Sequence, residues 1–171
     1  LYGELTFRPD YDEDELARRF RRCCHADAQA FLDLSLLNYM PGMKDNPSDP
    51  VNACKFMLYQ DPLIQLFEAD TAGYAMAEHF GSLVTRYARY ALENPDYALL
   101  FDFYTALANA LALKCVWHEQ AGDAVRSRNR EQAAALADGI GATVEALDTL
   151  RVVWRRLWES TNKPNGFEII E

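Results

Sequence analysis

The sequence is poor in cysteine and has no two cysteines at CxxC spacing. Cys23, Cys24, Cys54 and Cys115 are the whole set, and adjacent Cys23 and Cys24 cannot readily bridge each other, so no disulfide framework is expected. Buried free thiols in a reducing compartment are the expectation, with the cytoplasm as the location. Cys23, Cys24 and His25 with one distant ligand form a sharper zinc alternative, but they lack the paired spacing of zinc modules. Histidine is scarcer still: His25, His79 and His118. None lies in an HExxH or G-x-S-x-G context. Met76 and Cys115 stand three residues before His79 and His118, where a di-iron bundle would need glutamates. All three read as packing histidines. Gly139-Ile140-Gly141 lacks the third glycine and the lysine of a phosphate loop. No cofactor and no metal are therefore expected.

Positive charge is also short. Lys and Arg number 17 against 26 Asp and Glu, giving a net charge of -9 and a pI of about 4.8; such a chain repels phosphate backbones, so nucleic acid is excluded as a partner. No uninterrupted apolar run approaches the ~20 residues needed to cross a bilayer, so no membrane partner is expected. Internal repeats, low-complexity tracts and a dividing linker are missing too. The 171 residues read as one domain, 1–171, long enough for a real core.

What the sequence does have is helical periodicity. Half the residues are hydrophobic, which makes a packed core the expectation rather than disorder. The stretch Asn94 to Gln120 organises the rest. Pro95 sets its start, with Asp96 and Asp102 near the amide end. Tyr97, Leu100, Phe101, Tyr104, Leu107, Ala108, Leu111 and Cys115 fall on one face; Leu99, Phe103, Ala106, Ala110, Leu113 and Trp117 fill a second. Only Asp102, Thr105 and Asn109 make a polar stripe. A helix apolar around most of its circumference must be surrounded by others. The expected fold is therefore all-α: an antiparallel bundle of about five helices with a short extended C-terminal segment.

The flanking helices are marked by local signals. Asp10 or Asp12 caps a helix through about Cys24, with Glu13, Asp14 and Glu15 in its first turn and Arg18, Arg19, Arg21 and Arg22 behind them. These paired carboxylates invite an acid/base reading, but acids at a helix start are what the macrodipole favours. A second helix runs from Asp27 to about Leu37. Asn38 to Pro50 is loop chemistry, too long for a simple turn and so a candidate docking loop. Lys55 to Pro62 reads as a short helix or irregular turn, with Asp61-Pro62 opening a helical piece through Phe67; Tyr59 and Asp61 could contact a ligand there, but a buried tyrosine and an N-cap are the expectation. Thr71 to Glu93 is a helix ended by Asn94-Pro95, and the short link makes the central helix antiparallel to it. A last helical region starts near Asp123 and is kinked at Gly139 and Gly141. Its expected inner side is Ile140, Val144, Leu147, Leu150, Trp154, Leu157 and Trp158. Two tryptophans one turn apart mark a core corner or a docking surface. The polar stripe of the central helix is a candidate internal network, solvent groove or ligand pocket.

The C-terminal run Trp154-Arg155-Arg156-Leu157-Trp158-Glu159-Ser160-Thr161-Asn162-Lys163-Pro164-Asn165-Gly166-Phe167-Glu168 carries more information. A tryptophan-bearing helix entering an Asn-Lys-Pro-x-Gly-Phe-Glu turn resembles the C-terminal helical domain of bacterial glycoside hydrolase family 20, the β-N-acetylhexosaminidases. Pro47-Ser48, Lys55, Leu58-Tyr59-Gln60-Asp61-Pro62 and Leu111-Ala112-Leu113-Lys114 agree in order. Asn165 departs from the aromatic residue expected before the glycine. The resemblance implies that catalysis resides in an (α/β)-barrel, where an Asp-Glu pair assists attack by the substrate's own acetamido group. Asp12 to Glu15 do not sit in that strand-end context, so no catalytic residue transfers. The implied partners are that barrel, a second copy in a homodimer, and an N-acetylhexosamine-containing glycan reached through the parent enzyme. The candidate barrel-facing or rim residues are Tyr59, Asp61, Trp154, Trp158, Asn162 and Lys163. The alternating segment Phe167-Glu168-Ile169-Ile170-Glu171 and the absence of an initial methionine fit a C-terminal fragment of a larger enzyme. A stand-alone helical binding or dimerisation module, with a cavity at Asp102 and Asn109, is the alternative.

Overall fold

The computed structural model describes residues 10, 12–40, 42, 57–61, 63–64, 71–163 and 165–167. Among them are six α-helices, two 3-10 turns and no strand. Helix α1 spans Glu13–Cys24. Helix α2, Ala28–Leu32, continues into a 3-10 turn at Asp33–Leu37. Helix α3 is Met76–Glu93, and a 3-10 turn at Pro95–Tyr97 leads into α4, Ala98–Ser127. Helices α5 and α6 are Arg130–Gly139 and Gly141–Thr161. The extended segments expected at both ends, Cys54 and most of the Asn38–Pro50 loop lie outside the described residues.

The caps explain the boundaries. The Asp12 carboxylate accepts from the Asp14 and Glu15 amides at 2.9 and 3.2 Å, and Asp27 does the same for Gln29. Asp12 is thus a helix cap, and Glu15 is occupied by Arg19 one turn on, as the macrodipole reading expects. Cys23 and Cys24 depart from the expected burial: Cys23 is exposed and Cys24 half-buried, while Cys115 is buried. At Gly73 a φ of +82° breaks the chain, so α3 begins at Met76 rather than Thr71.

Helix α4 is the hub. Its 30 residues give a rod of about 45 Å, packed against α3, α5 and α6. Ring pairs fix the direction of the first contact: Tyr90 meets Phe101 at 5.8 Å and Tyr87 meets Tyr104 at 6.2 Å, so α3 and α4 run antiparallel. Phe103 with Trp154 at 5.8 Å, and Ala110 with Ala146 and Leu150, show the same for α6. Pro95–Ser127 is long and apolar enough to cross a bilayer by length and composition. That corrects the expectation that no segment comes close; in the fold, this helix is the central member, packed against α3, α5 and α6 with much of its surface only half-buried.

Two boundaries differ from expectation. Residues Asp123–Ser127 continue α4 instead of opening the next helix. Gly122 is buried and does not stop the helix. The stop comes at Arg128, which turns left-handed at φ 51°, and Asn129 then caps α5 through the Glu131 and Gln132 amides. The break at Gly139–Gly141 separates α5 from α6, where a kink was expected.

Asp33 fastens the α2 end to α3. Tyr90 donates its hydroxyl to the carboxylate at 2.6 Å, Gln29 its amide at 2.6 Å and Arg86 its guanidinium at 3.1 Å. Tyr87, buried with its hydroxyl pKa pushed up by desolvation and by Asp33, donates to the Asp33 carbonyl at 2.9 Å. Partial burial opposes ionisation of Asp33, but Tyr90, Gln29 and Arg86 together hold its pKa below the ordinary 3.8. The group is more acidic folded than unfolded, so its stabilisation is full above about pH 4 and is lost as pH falls through the lower folded value. Asp33→Asn is expected to cost about 1–3 kcal/mol at pH 7. Urea midpoints should show that difference shrinking towards pH 3; a difference independent of pH would refute the assignment.

Candidate docking surface

The turn at Met57–Asp61 is anchored from below. Met57 is 2% exposed and Gln60 6%, and the Gln60 amide donates to the Met57 sulfur at 3.1 Å. Lys114, half-buried on α4, donates its ammonium to the Leu58 carbonyl. Burial lowers the Lys114 pKa, with Cys115 and Asp61 opposing the shift. The Leu58-to-Asp61 and Leu111-to-Lys114 motifs, far apart in sequence, are therefore in direct contact. Tyr59 is 76% exposed, which corrects the expectation of a buried tyrosine: Met57 and Gln60 take the inward positions of the turn and leave its ring outside. Asp61 is exposed too, and its carboxylate accepts from the Leu63 amide at 2.8 Å, a capping role of the kind expected. The helical piece expected through Phe67 falls largely outside the described residues.

The C-terminal corner is a closed aromatic knot. Trp154 packs on Phe103 at 5.8 Å and on Phe167 at 6.0 Å; Trp158 lies 6.2 Å from Phe167. The Trp158 indole donates to the Lys163 carbonyl at 3.0 Å, and the Arg155 guanidinium covers the Phe167 ring at 5.2 Å. Gly166 takes a φ of +103°, which L side chains rarely adopt, and brings Phe167 to 3% exposure. Asn162 ends α6 with its amide on the Trp158 carbonyl at 2.7 Å. The Asn162 and Lys163 side chains are exposed.

Helix α6 keeps Leu150 and Trp154 of the expected inner side against the bundle, but its first turns are rotated away from it. Thr143, Ala146 and Leu150 are buried, whereas Val144, Leu147 and Ile140 stand 55%, 37% and 36% exposed. Small side chains explain the rotation: Ala110 on α4, fully buried, faces Ala146 and Leu150, and alanine contacts let two helices approach closely. The bulkier residues are displaced to the flank. There Ile140, Val144, Leu147, Trp154 and Trp158 fall on one side of α6, at steps of four, three, seven and four residues, and lead into the aromatic corner. Leu58 and Phe103 both pack against the cluster closed by Ala146 and Leu150, so the turn and the stripe flank the same stretch of α4. Phe103 and Ala110 lie seven residues apart, about 10 Å along the axis.

The other candidates resolve into structure. Asp102 and Asn109 are exposed, and the Thr105 hydroxyl donates to the Phe101 carbonyl at 2.7 Å; the polar stripe is a solvent face and not the enclosed pocket that a stand-alone binding module requires. His25 is the left-handed C-cap of α1. His79 bonds the Leu36 carbonyl at 2.8 Å, and His118 is 6% exposed beside buried Cys115. Among the described residues no group of three His, Cys, Asp or Glu side chains could hold a metal ion.

Residues 29–171 match the family described as the glycoside hydrolase 20C C-terminal domain. The chain belongs to this family. It is the non-catalytic, all-helical C-terminal domain of a family 20 hexosaminidase-type hydrolase, and that membership associates it with a catalytic barrel on its N-terminal side. No curated protein and no solved structure matches the chain. The motifs that carry the resemblance in sequence are thus the ones that build the Tyr59 turn and the tryptophan corner.

Proposed function

We propose that this family 20C domain buttresses the catalytic barrel of the same polypeptide. The face it uses carries Tyr59, Asp61, Trp154, Trp158, Asn162 and Lys163. The observation that carries the reading is the Tyr59 turn: two buried side chains and Lys114 hold it while it displays an aromatic ring and a carboxylate. That pair suits the rim of a sugar site, the ring lying against a pyranose face and the carboxylate accepting from hydroxyls. The substrate reached this way is a terminal N-acetylhexosamine, removed in the barrel. The setting is cytoplasmic, in keeping with an exposed Cys23 outside any disulfide.

Tyr59→Ala in the barrel-containing enzyme is expected to raise KM on an oligosaccharide about threefold to tenfold with kcat little changed, the loss of one aromatic contact. Trp158→Ala should loosen the barrel, seen as two calorimetric transitions where the parent shows one. Unchanged kinetics and a single transition in both variants would sink the assignment. A homodimer is the second reading, favoured by the exposed stripe Ile140, Val144 and Leu147; a mass that doubles with concentration and reverts with Val144→Glu would select it.

A further inference from the structure

Helix α1 has a face that stays exposed among the described residues. It lies before residues 29–171 that define the family, it contains no buried residue, and it rests on the bundle through Phe20 against Phe31 at 5.4 Å. Leu16, Phe20 and Cys24 are half-buried and share one side of the helix at four-residue spacing. The opposite side of its last two turns carries Arg18, Arg19, Arg21 and Arg22, all exposed. Arg19 is taken by Glu15, and Arg21 reaches Asp27 only at 3.7 Å. Among the described residues Arg18 and Arg22 have no carboxylate within ion-pair reach, and with Glu15 the four arginines line a hollow of about 440 Å³.

This arrangement costs the isolated helix something. Arg18 and Arg22 are like charges at i, i+4, a destabilising pairing. The helix dipole favours cations in the last turn, which accounts for Arg21 and Arg22 but not Arg18. We infer that the arginine face of α1 docks on an acidic patch of the domain preceding it in the enzyme, which locks the junction between barrel and bundle. The inference rests on the reading that the barrel belongs to the same polypeptide. Charge selects the occupant. The chain carries a net -9, so a free polyanion is repelled as it approaches. A tethered acidic surface needs no long-range attraction: it sits at an effective concentration in the millimolar range, within the ~8 Å reach of charges at physiological salt.

Hydrogen exchange of the α1 amides, measured in the barrel-containing enzyme, tests this. Arg18→Gln, Arg21→Gln and Arg22→Gln combined should speed exchange about tenfold, the worth of a few partly exposed ion pairs. Salt at about 0.5 M should do the same to the parent enzyme. The Arg130→Gln/Arg156→Gln control should change nothing, and Arg→Lys at the three α1 positions should restore most of the protection. Equal exchange in all variants overturns the inference and leaves a solvated face. Exchange that slows with protein concentration overturns it in favour of a second copy. The Tyr59 and Trp158 variants separate the two readings. Altered kinetics there with arginine-independent α1 exchange refutes only this inference. Unchanged kinetics with arginine-dependent exchange refutes only the assignment of the Tyr59 and tryptophan face.

Discussion

Phe101→Ala is expected to lower the unfolding free energy by about 3–5 kcal/mol, as fully buried aromatic truncations do. Phe101 is 0% exposed. Its ring meets Phe31 at 5.4 Å and Tyr90 at 5.8 Å, and Phe31 in turn meets Phe20 and Tyr97. One side chain on α4 therefore joins α2, α3 and, through Phe31, α1. Domains of this size are stable by about 5–15 kcal/mol, so the loss is a large share of the total. The rings around it are held by backbone elements meeting at different angles, which limits collapse into the void. Urea unfolding followed by far-ultraviolet circular dichroism should show the midpoint falling with the slope preserved. A loss below about 1 kcal/mol would mean that the cavity refills, and that the aromatic cluster does not join these helices.

How far the sequence discloses this fold depends on the range of the interaction. Asp12, Asp27 and Asn94-Pro95 mark helix ends because caps and prolines act on amides within a turn. The end of α4 was not visible for the same reason in reverse. Gly122 looks like a stop but sits buried in the helix, and the true stop is a left-handed arginine that carries no compositional signature. The rotation of α6 was hidden by a conflict between hydrophobicity and size. Ile140, Val144 and Leu147 are the stronger core candidates by transfer energy. The buried contact with α4 is instead made by Ala146 and Leu150 with Ala110, a pairwise property that no single helix reveals.

The candidate site divides along the same line. The Tyr59 turn and the tryptophan corner were legible through their motifs. What holds the turn, Lys114 reaching the Leu58 carbonyl across 56 residues, was present in the sequence as two unconnected motifs. Asp33 had no sequence signal, because Gln29 is local but Tyr90 and Arg86 lie more than fifty residues away. In the proposed buttressing role, the residues that would hold the surface in place are such long-range fasteners, and they differ from those displayed.

Asn94 is the fastener with the sharpest test. It was readable only as a helix stop, yet it is 1% exposed. Its side-chain oxygen accepts from the Asp27 amide at 2.7 Å, and its amide group donates to the Tyr90 carbonyl at 2.9 Å. One side chain thus joins the start of α2 to the end of α3 at the point where the chain turns into α4. Asn94→Leu keeps the volume but gives the Asp27 amide no acceptor. The Tyr90 carbonyl still receives the backbone amide of residue 94 at 2.9 Å, so one buried donor carries most of the penalty. The expected cost is about 1–3 kcal/mol, against the ~1 kcal/mol of an ordinary hydrogen bond, because the Asp27 amide keeps its desolvation and loses its acceptor. Asn94→Asp should behave differently: it keeps the acceptor and loses the donation to Tyr90, and its charge needs further partners in a buried site. It should fall between the parent and leucine near pH 4 and below leucine at pH 8. If both variants unfold at the parent's urea midpoint, the Asp27 amide is finding water, and the junction is not the closed joint these distances describe.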